Sequence, residues 1–358
     1  IKRDRLVWIG DLHTETLGLL YTASDKENII NCVDFGAEET PPTDWMNGHT
    51  AYSFWWIIVL YDYYRFTGDR KKVGLYVDYL ANLLINTEKL VSENGETNFP
   101  NNFLDWPTNG TEDAVKGCFA LLKIAAAKGG ELLRIFGKDD SSAREIIRKL
   151  SNGKASPAKA KQAVAMEYLA GIVDKNSAME KLSDGGAKGL STFMAYYILT
   201  AVKETCGANT AVAMLKEYYG GMLDKGATTF WEDFDVDWIK DSGKIDEIPE
   251  EGQKDIHGDY GKFCYTGFRH SLCHGWSCGP IAFLTETILG VKVSDGGKTI
   301  ELTPSLCGLE FAKGSVPTPY GKVEISHRQT EHGVETMVAA PKEVRIIAND
   351  CNLTRKDI

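Results

Sequence analysis

Two stretches of the chain combine carboxylates with tryptophan. In the first, IKRDRLVWIGD, Asp4 lies between Arg3 and Arg5, and Trp8 and Asp11 follow. Neighbouring cations favour an ionised carboxyl, whereas desolvation and a second carboxylate oppose it. Such opposing influences tune an acid for proton transfer. Charge runs of this kind are also common on solvated surfaces, so the residues alone leave both interpretations open.

The second stretch, KGATTFWEDFD, ends in Glu232, Asp233 and Asp235 behind two aromatic residues. Small residues that lead into aromatic and then acidic ones are typical of a strained loop that carries acid groups past apolar walls. An exposed acidic turn has the same composition. The stretch therefore supplies candidate acids without assigning a reaction.

The first stretch resembles the signature of the α-L-rhamnosidases of glycoside hydrolase family 78. These enzymes carry an acidic residue followed by Arg, then Trp four positions after the acid and Gly-Asp at six and seven. The matching positions here are Asp4, Arg5, Trp8, Gly10 and Asp11. The resemblance implies that Asp4 is the general acid. The family more usually has Glu there, and the shorter Asp requires the backbone or the sugar to lie closer.

The second stretch is similar to the family's Ala-Thr-Thr-x-Trp-Glu segment, in which the Glu is the general base that activates water. Glu232 occupies that place, and Asp233 or Asp235 would replace it if the alignment slipped. His274 aligns with a sugar-contacting His in the family's Ser-x-x-His segment. The pair Asp105-Trp106 resembles an Asp-Trp pair whose Trp forms part of the sugar pocket.

These matches imply an inverting glycosidase that removes terminal α-L-rhamnose. In such an enzyme, the two carboxyls stand roughly 6.5–9.5 Å apart to admit the attacking water. Tryptophans would pack on the apolar C5-methyl side and ring face of the 6-deoxy sugar, because a methyl group leaves a polar donor without a partner. The implied substrate-binding residues are Lys2, Arg3, Trp8, Asp11, Trp45, Trp106 and His274.

Two other functions stay open on the sequence. The Glu-to-Asp difference at Asp4 keeps alive a catalytically silent carbohydrate-binding protein on the same scaffold. A Trp-lined pocket would also suit a different glycosidase or lyase with an (α/α)6 barrel. Hydrolysis of p-nitrophenyl α-L-rhamnoside separates the enzyme from the binder.

Composition narrows the class of protein. The 358 residues carry a net charge of −10 and 43% hydrophobic residues. No apolar run approaches the roughly 20 residues of a membrane-spanning helix, and an acidic chain disfavours a nucleic-acid partner. The eight cysteines have no regular spacing, and Cys273-His274 with Cys278 lacks the second pair that structural zinc needs. We therefore expect no metal and no cofactor. Oligomeric state is not indicated, and a periplasmic or secreted location is slightly favoured over a cytoplasmic one.

Apolar residues with helical periodicity dominate the first 290 residues. The predicted helices span roughly 12–31, 45–66, 70–93, 111–137, 140–151, 156–173, 176–184, 189–206, 208–221 and 278–289. No fixed-period repeat marks an open solenoid, so an (α/α)6 barrel is favoured. Because that barrel needs twelve helices and the chain begins inside the acid motif, we expect one or two leading helices outside this sequence.

After Gly290 the period changes from 3.6 to 2, which predicts strands. They fall at 299–303, 322–326, 334–338 and 344–347. The predicted organisation is a barrel domain over 1–290 and a small antiparallel β-sandwich over 291–358. A polar insertion at 237–259 is expected to be a lid or a surface excursion.

Overall fold

A computed structural model describes residues 6–153, 157–263 and 265–358. Its α-helices, numbered along the chain, are α1 (Leu12–Thr22), α2 (Glu27–Glu39), α3 (Thr50–Thr67), α4 (Arg70–Gly74), α5 (Val77–Glu88), α6 (Glu112–Ile135), α7 (Ser141–Asn152), α8 (Lys161–Leu169), α9 (Lys175–Ser183), α10 (Ala195–Cys206), α11 (Ala208–Asp224) and α12 (Gly279–Thr287). None of the helices in these ranges is long and apolar enough to cross a membrane.

Six helices form a closed ring. In order around the ring they are α1, α3, α6, α8, α10 and α12, and α12 packs back against α1. The helices α2, α5, α7, α9 and α11 alternate with them along the chain and pack against ring members or one another. This alternation is the (α/α)6 barrel that the sequence predicted.

Ring helices are buried on more of their faces than outer helices, in line with their more apolar sequences. Helix α3 is buried almost all round, including Trp55 and Trp56, because it contacts the barrel interior and the outer helices at once. Outer helix α7 buries a single stripe, Ala143, Ile146 and Leu150. Such a stripe covers one side and leaves the other polar.

Several predicted helices have different bounds in the structure, and those predicted over 156–173 and 189–206 are shortened to α8 and α10. The single helix predicted over 12–31 is wrong, because α1 ends at Thr22 and α2 begins at Glu27. The Lys26 ammonium donates to the Leu19 and Leu20 carbonyls at 2.8 and 2.9 Å and closes α1. The predicted helix 70–93 is divided into α4 and α5, and the helix predicted from residue 45 begins at Thr50.

The C-terminal region contains β1 (Val291–Ser294), β2 (Thr299–Leu302), β3 (Phe311–Thr318), β4 (Gly321–Thr330), β5 (Gly333–Ala340), β6 (Arg345–Ala348) and β7 (Asn352–Asp357). They form a three-stranded sheet, β1-β2-β6, and a four-stranded sheet, β3-β4-β5-β7. The four predicted strands are confirmed as β2, β4, β5 and β6. The sheets are mixed, since β2 pairs with β6 and β5 with β7 in parallel.

The β region packs against one end of the ring. Strand β1 contacts α3 and α12, and β3 contacts α1. The Arg65 guanidinium, near the C-terminal end of α3, donates to the Val293 carbonyl at 3.2 Å. The loops that precede the ring helices lie at the opposite end of those helices, and they carry the predicted site residues that fall within the described part of the chain.

Candidate functional site

The segment after α11 carries Glu232 and runs alongside residues 270–277. The Glu232 amide donates to the Ser271 carbonyl at 2.8 Å, and the His274 amide donates to the Phe230 carbonyl at 2.8 Å. The Asp233 amide donates to Nε2 of His270 at 3.1 Å. Three hydrogen bonds over four consecutive residues therefore fix the backbone on which the predicted base stands.

The Glu232 side chain is held as firmly as its backbone. It is 4% exposed, and its Oε2 accepts from the Ser271 amide at 2.9 Å. The Glu232 carbonyl accepts from the Trp276 indole N–H at 3.0 Å and from the Thr192 hydroxyl. These contacts fix the orientation of the Glu232 carboxylate.

His274 connects Glu232 to the first motif. Its Nδ1 lies 3.7 Å from Oε1 of Glu232, and its Nε2 lies 3.4 Å from Oδ2 of Asp11. Asp11 and His274 are 263 residues apart in sequence. The structure thus brings together three residues that the sequence predicted for one site.

Asn47 positions the segment that leads to Asp11. Its side-chain oxygen accepts from the Ile9 amide at 2.9 Å, and its amide donates to the Val7 carbonyl at 3.1 Å. Asn47 itself has a φ of 52°, a conformation that Asn tolerates better than most residues. The predicted general acid Asp4 and the predicted binding residues Lys2 and Arg3 precede this segment and lie outside the described residues.

Aromatic rings extend from Trp8 to Trp106. Trp8 packs edge-on against Tyr52 at 6.4 Å between ring centroids, and Tyr52 packs against Phe103 at 6.0 Å. Phe103 in turn meets Trp106 at 5.0 Å. Trp106 also stacks on Phe263 at 6.1 Å with 25° between the ring planes. Two predicted pocket tryptophans therefore belong to one continuous aromatic surface.

The same surface continues to the Glu232 segment. Tyr265 packs edge-on against both Trp106 and Trp276, at 6.2 and 6.0 Å. Trp276 contacts the His274 ring at 4.9 Å. An apolar wall thus joins the end of the first motif to the predicted base.

Trp45 belongs to a different group of rings. It packs edge-on against Phe54 at 6.4 Å, and Phe54 contacts Phe99 at 5.5 Å. These rings do not connect Trp45 with the Trp8–Trp106 surface among the described residues. Its role in sugar binding stays a prediction.

Buried carboxyls surround the site. Burial, and then the charge of Asp105, raises the pKa of Asp233 to about 7. Burial raises the pKa of Asp105 to about 6, although the Ser191 hydroxyl and the Trp106 amide donate to it. Burial and the neighbouring Asp11 raise the pKa of Glu15 to about 7. Perturbed acids of this kind cluster at functional sites and also occur in structural networks.

Sequence reasoning missed several residues that build the site. Trp276 and Thr192 both bond the Glu232 carbonyl, and Tyr52 and Tyr265 complete the aromatic surface. The one available signal was the Trp two positions after His274. Over the described ranges, no group of three or more His, Cys, Asp or Glu side chains is placed to hold a metal ion.

Comparisons with known proteins agree with this architecture. Residues 290–348 match the family described as the bacterial alpha-L-rhamnosidase C-terminal domain. No curated protein sequence matches the chain. The fold is similar to that of a GH78 family rhamnosidase of Bacillus sp. GL1, with a TM-score of 0.78 and 20% identity over 98% of this chain and 40% of that one.

Two further solved structures are also similar. A Streptomyces avermitilis alpha-L-rhamnosidase complexed with L-rhamnose has a TM-score of 0.70 and 14% identity over 92% of this chain and 33% of its own. The Aspergillus terreus α-L-rhamnosidase has a TM-score of 0.72 and 13% identity over 96% of this chain and 43% of its own. This chain spans less than half the length of each of these proteins. It has the fold of these rhamnosidases, and its residues 290–348 match the model of the bacterial alpha-L-rhamnosidase C-terminal domain.

Proposed function

We propose that the protein is an inverting glycoside hydrolase that removes terminal α-L-rhamnose, with Glu232 as general base and Asp4 as general acid. The observation that carries the proposal is the placement of Glu232. It is buried, oriented by the Ser271 amide, and joined through His274 to Asp11 of the first motif. The fold it shares with rhamnosidases supports the choice of sugar.

The reaction is a single displacement. Glu232 takes a proton from a water molecule as the water oxygen bonds to the anomeric carbon, and Asp4 gives a proton to the glycosidic oxygen as the C–O bond breaks. The water attacks from the face opposite the leaving group. The released rhamnose therefore has the β configuration.

Asp11 and His274 are suited to hold sugar hydroxyls, because one offers acceptors and the other a ring N–H next to Glu232. Trp8 and Trp106 supply the apolar surface for the C5-methyl group. A methyl group is favoured there because no polar donor is left unsatisfied against it. Lys2 and Arg3 are proposed as further hydroxyl contacts, and Trp45 as a more distant part of the pocket.

Hydrolysis of p-nitrophenyl α-L-rhamnoside by the full-length protein tests the proposal. Glu232→Gln should reduce kcat by roughly 10²–10⁴-fold, which is the usual worth of a general base, with a modest change in KM. Glu247→Gln is the matched control, since Glu247 is an exposed glutamate that pairs with Lys244 on the surface. Equal loss in both variants would remove Glu232 from its role.

The wild-type protein also distinguishes the two other functions. Binding of L-rhamnose without turnover would identify a silent carbohydrate-binding protein. Hydrolysis of another p-nitrophenyl glycoside with no cleavage of the rhamnoside would identify a different glycosidase. Either result would overturn the proposal.

A further inference from the structure

A second cleft lies away from Glu232, where the barrel meets the β region. It has a volume of about 460 Å³ and is lined by the C-terminal ends of α3 and α6, the turn after β1 and the turn after β3. Tyr52, at the candidate site, and Arg65, at this cleft, are thirteen positions apart on α3. At 1.5 Å per residue they span about 20 Å. The cleft is thus a separate place on the molecule.

The floor of the cleft is built from close backbone contact. A Cβ atom on Gly296 would lie 2.7 Å from the Cα of Gly68, and one on Gly297 would lie 2.8 Å from the Phe66 carbonyl oxygen. Gly68 ends α3 with a φ of 62°. Since no side chain separates the two backbones, the floor is preformed. A preformed site loses little binding energy to reorganisation.

Two cations face the cleft without an acid to neutralise them. The Arg70 guanidinium donates to the Tyr64 hydroxyl at 3.3 Å and to the Ile135 carbonyl at 3.1 Å, both neutral acceptors. Lys298 lines the same cleft. Within the described part of the chain, neither cation has a carboxylate within 4.0 Å.

The acids at the cleft are already engaged. Asp295 accepts from the Thr299 hydroxyl at 2.8 Å and lies 3.9 Å from the Arg345 guanidinium. Glu131 accepts from the Tyr61 hydroxyl at 3.0 Å. That hydroxyl is a neutral donor, so Glu131 keeps its negative charge. The cleft is lined by three cations, Arg65, Arg70 and Lys298, and by two acids, Glu131 and Asp295, so cations exceed acids by one.

Tyrosine rings provide the rest of the lining. Tyr61 and Tyr64 are half-buried on α3, and Tyr320 is 37% exposed on the turn after β3. Tyrosine presents an apolar ring and a polar hydroxyl together, which suits ligands that are apolar on one face and polar at the edge. A pyranose ring has this character.

We propose that this cleft is a secondary binding site for an acidic saccharide. The carboxylate of a uronic acid residue binds Arg70 and Lys298, because arginine and lysine form charge-assisted hydrogen bonds to carboxylates. The pyranose ring packs against Tyr64 and Tyr320. The volume is within the range of small-ligand sites. The proposal does not depend on the activity at Glu232.

Isothermal titration calorimetry of the full-length protein tests it with three probes. These are an oligogalacturonate, a neutral cello-oligosaccharide, and inorganic sulfate. We expect the oligogalacturonate to bind more tightly than either of the others, and its affinity to fall as salt is raised, because partly exposed charges are screened. The double variant Arg70→Ala/Lys298→Ala should weaken its binding at least tenfold.

Matched variants distinguish binding at this cleft from nonspecific attraction to surface cations. Arg328→Ala/Lys313→Ala removes two exposed cations of the four-stranded sheet that do not line the cleft, and it should leave binding unchanged. Tyr320→Ala should weaken oligogalacturonate binding and leave sulfate binding unaltered. Melting temperatures of all variants establish that they fold.

Four outcomes would overturn the inference. Sulfate that binds as tightly as the oligogalacturonate would show an anion site only. A neutral sugar that binds equally well would remove the role of the cations. No binding of the oligogalacturonate would reject the site, and equal loss in the two double variants would reject its location.

Discussion

Asp233 should make the protein less stable as the pH rises from about 4 to 7. Burial and the charge of Asp105 raise its pKa from 3.8 to about 7, so within this window the folded state holds a proton that the unfolded state has released. Stability falls with pH wherever the folded state binds more protons. Between pH 5 and the Asp233 pKa of about 7 lie two pH units, over which the free energy of unfolding should fall by about 3 kcal/mol.

Asp233→Asn removes this dependence while keeping the shape and the backbone hydrogen bond to His270. Urea unfolding followed by circular dichroism at pH 5 and pH 8 gives the free energy of unfolding. The difference in unfolding free energy, variant minus wild type, should increase by about 3 kcal/mol from pH 5 to pH 8.

Asp241→Asn is the control for this experiment, since Asp241 is an exposed aspartate on the nearby loop. Its pH dependence should match that of wild type. The reasoning would be refuted if the unfolding free energies of Asp233→Asn and of wild type changed by the same amount between pH 5 and pH 8. The Asp233 carboxyl would then be ionised in the folded state at pH 5.

Three further substitutions test the packing of the site and of the domain junction. Gly275→Ala would place a Cβ 2.1 Å from Oε1 of Glu15, so the melting temperature of this variant should fall. Adding Glu15→Ala should restore part of the lost melting temperature. Purely additive effects of the two substitutions would contradict this contact. Gly296→Ala should cost more free energy of unfolding than Gly308→Ala, because both have a positive φ but only Gly296 meets backbone atoms; equal costs in urea unfolding would exclude the contact. Trp276→Phe removes one hydrogen bond to the Glu232 carbonyl. The variant should lose about 1 kcal/mol of unfolding free energy, and its kcat should fall by more than its KM changes. An unchanged kcat would show that this bond does not position the base.

The sequence predicted the barrel because periodicity reports burial directly. Ring helices such as α3 are apolar on nearly every face, and outer helices such as α7 on one stripe. The break between α1 and α2 was missed because neither Gly nor Pro marks it. The Lys26 ammonium closes α1 by reaching back to its last carbonyls, and a contact of that kind leaves no trace in periodicity.

The strands show the same limit. Alternation revealed β2, β4, β5 and β6, and burial alternates along β4 and β5. Strand β3 includes a Gly and a Pro, and β7 is largely exposed, so neither alternates clearly. The parallel pairing of β2 with β6 and of β5 with β7 depends on how the chain returns across the sheets. The division into domains at residue 290 stays a prediction.

At the candidate site, motif resemblance located the residues and the structure supplied their contacts. Asp11, Glu232 and His274 come together as the motifs suggest. The partners that orient Glu232 could not be assigned from sequence, since each contact has a backbone group on one side. The Ser271 amide donates to the Glu232 carboxylate, and the Trp276 indole donates to the Glu232 carbonyl. Backbone donors and acceptors are common to all residues, so motifs do not encode them.

Chemical rescue of Glu232→Ala by azide tests the central claim most directly. The variant should lose activity on p-nitrophenyl α-L-rhamnoside, because no group deprotonates the attacking water. Azide needs no base, so it should restore the release of p-nitrophenol and give β-L-rhamnosyl azide, which proton NMR identifies. A variant that hydrolyses the rhamnoside at the wild-type rate, or a rescued azide of α configuration, would contradict the account.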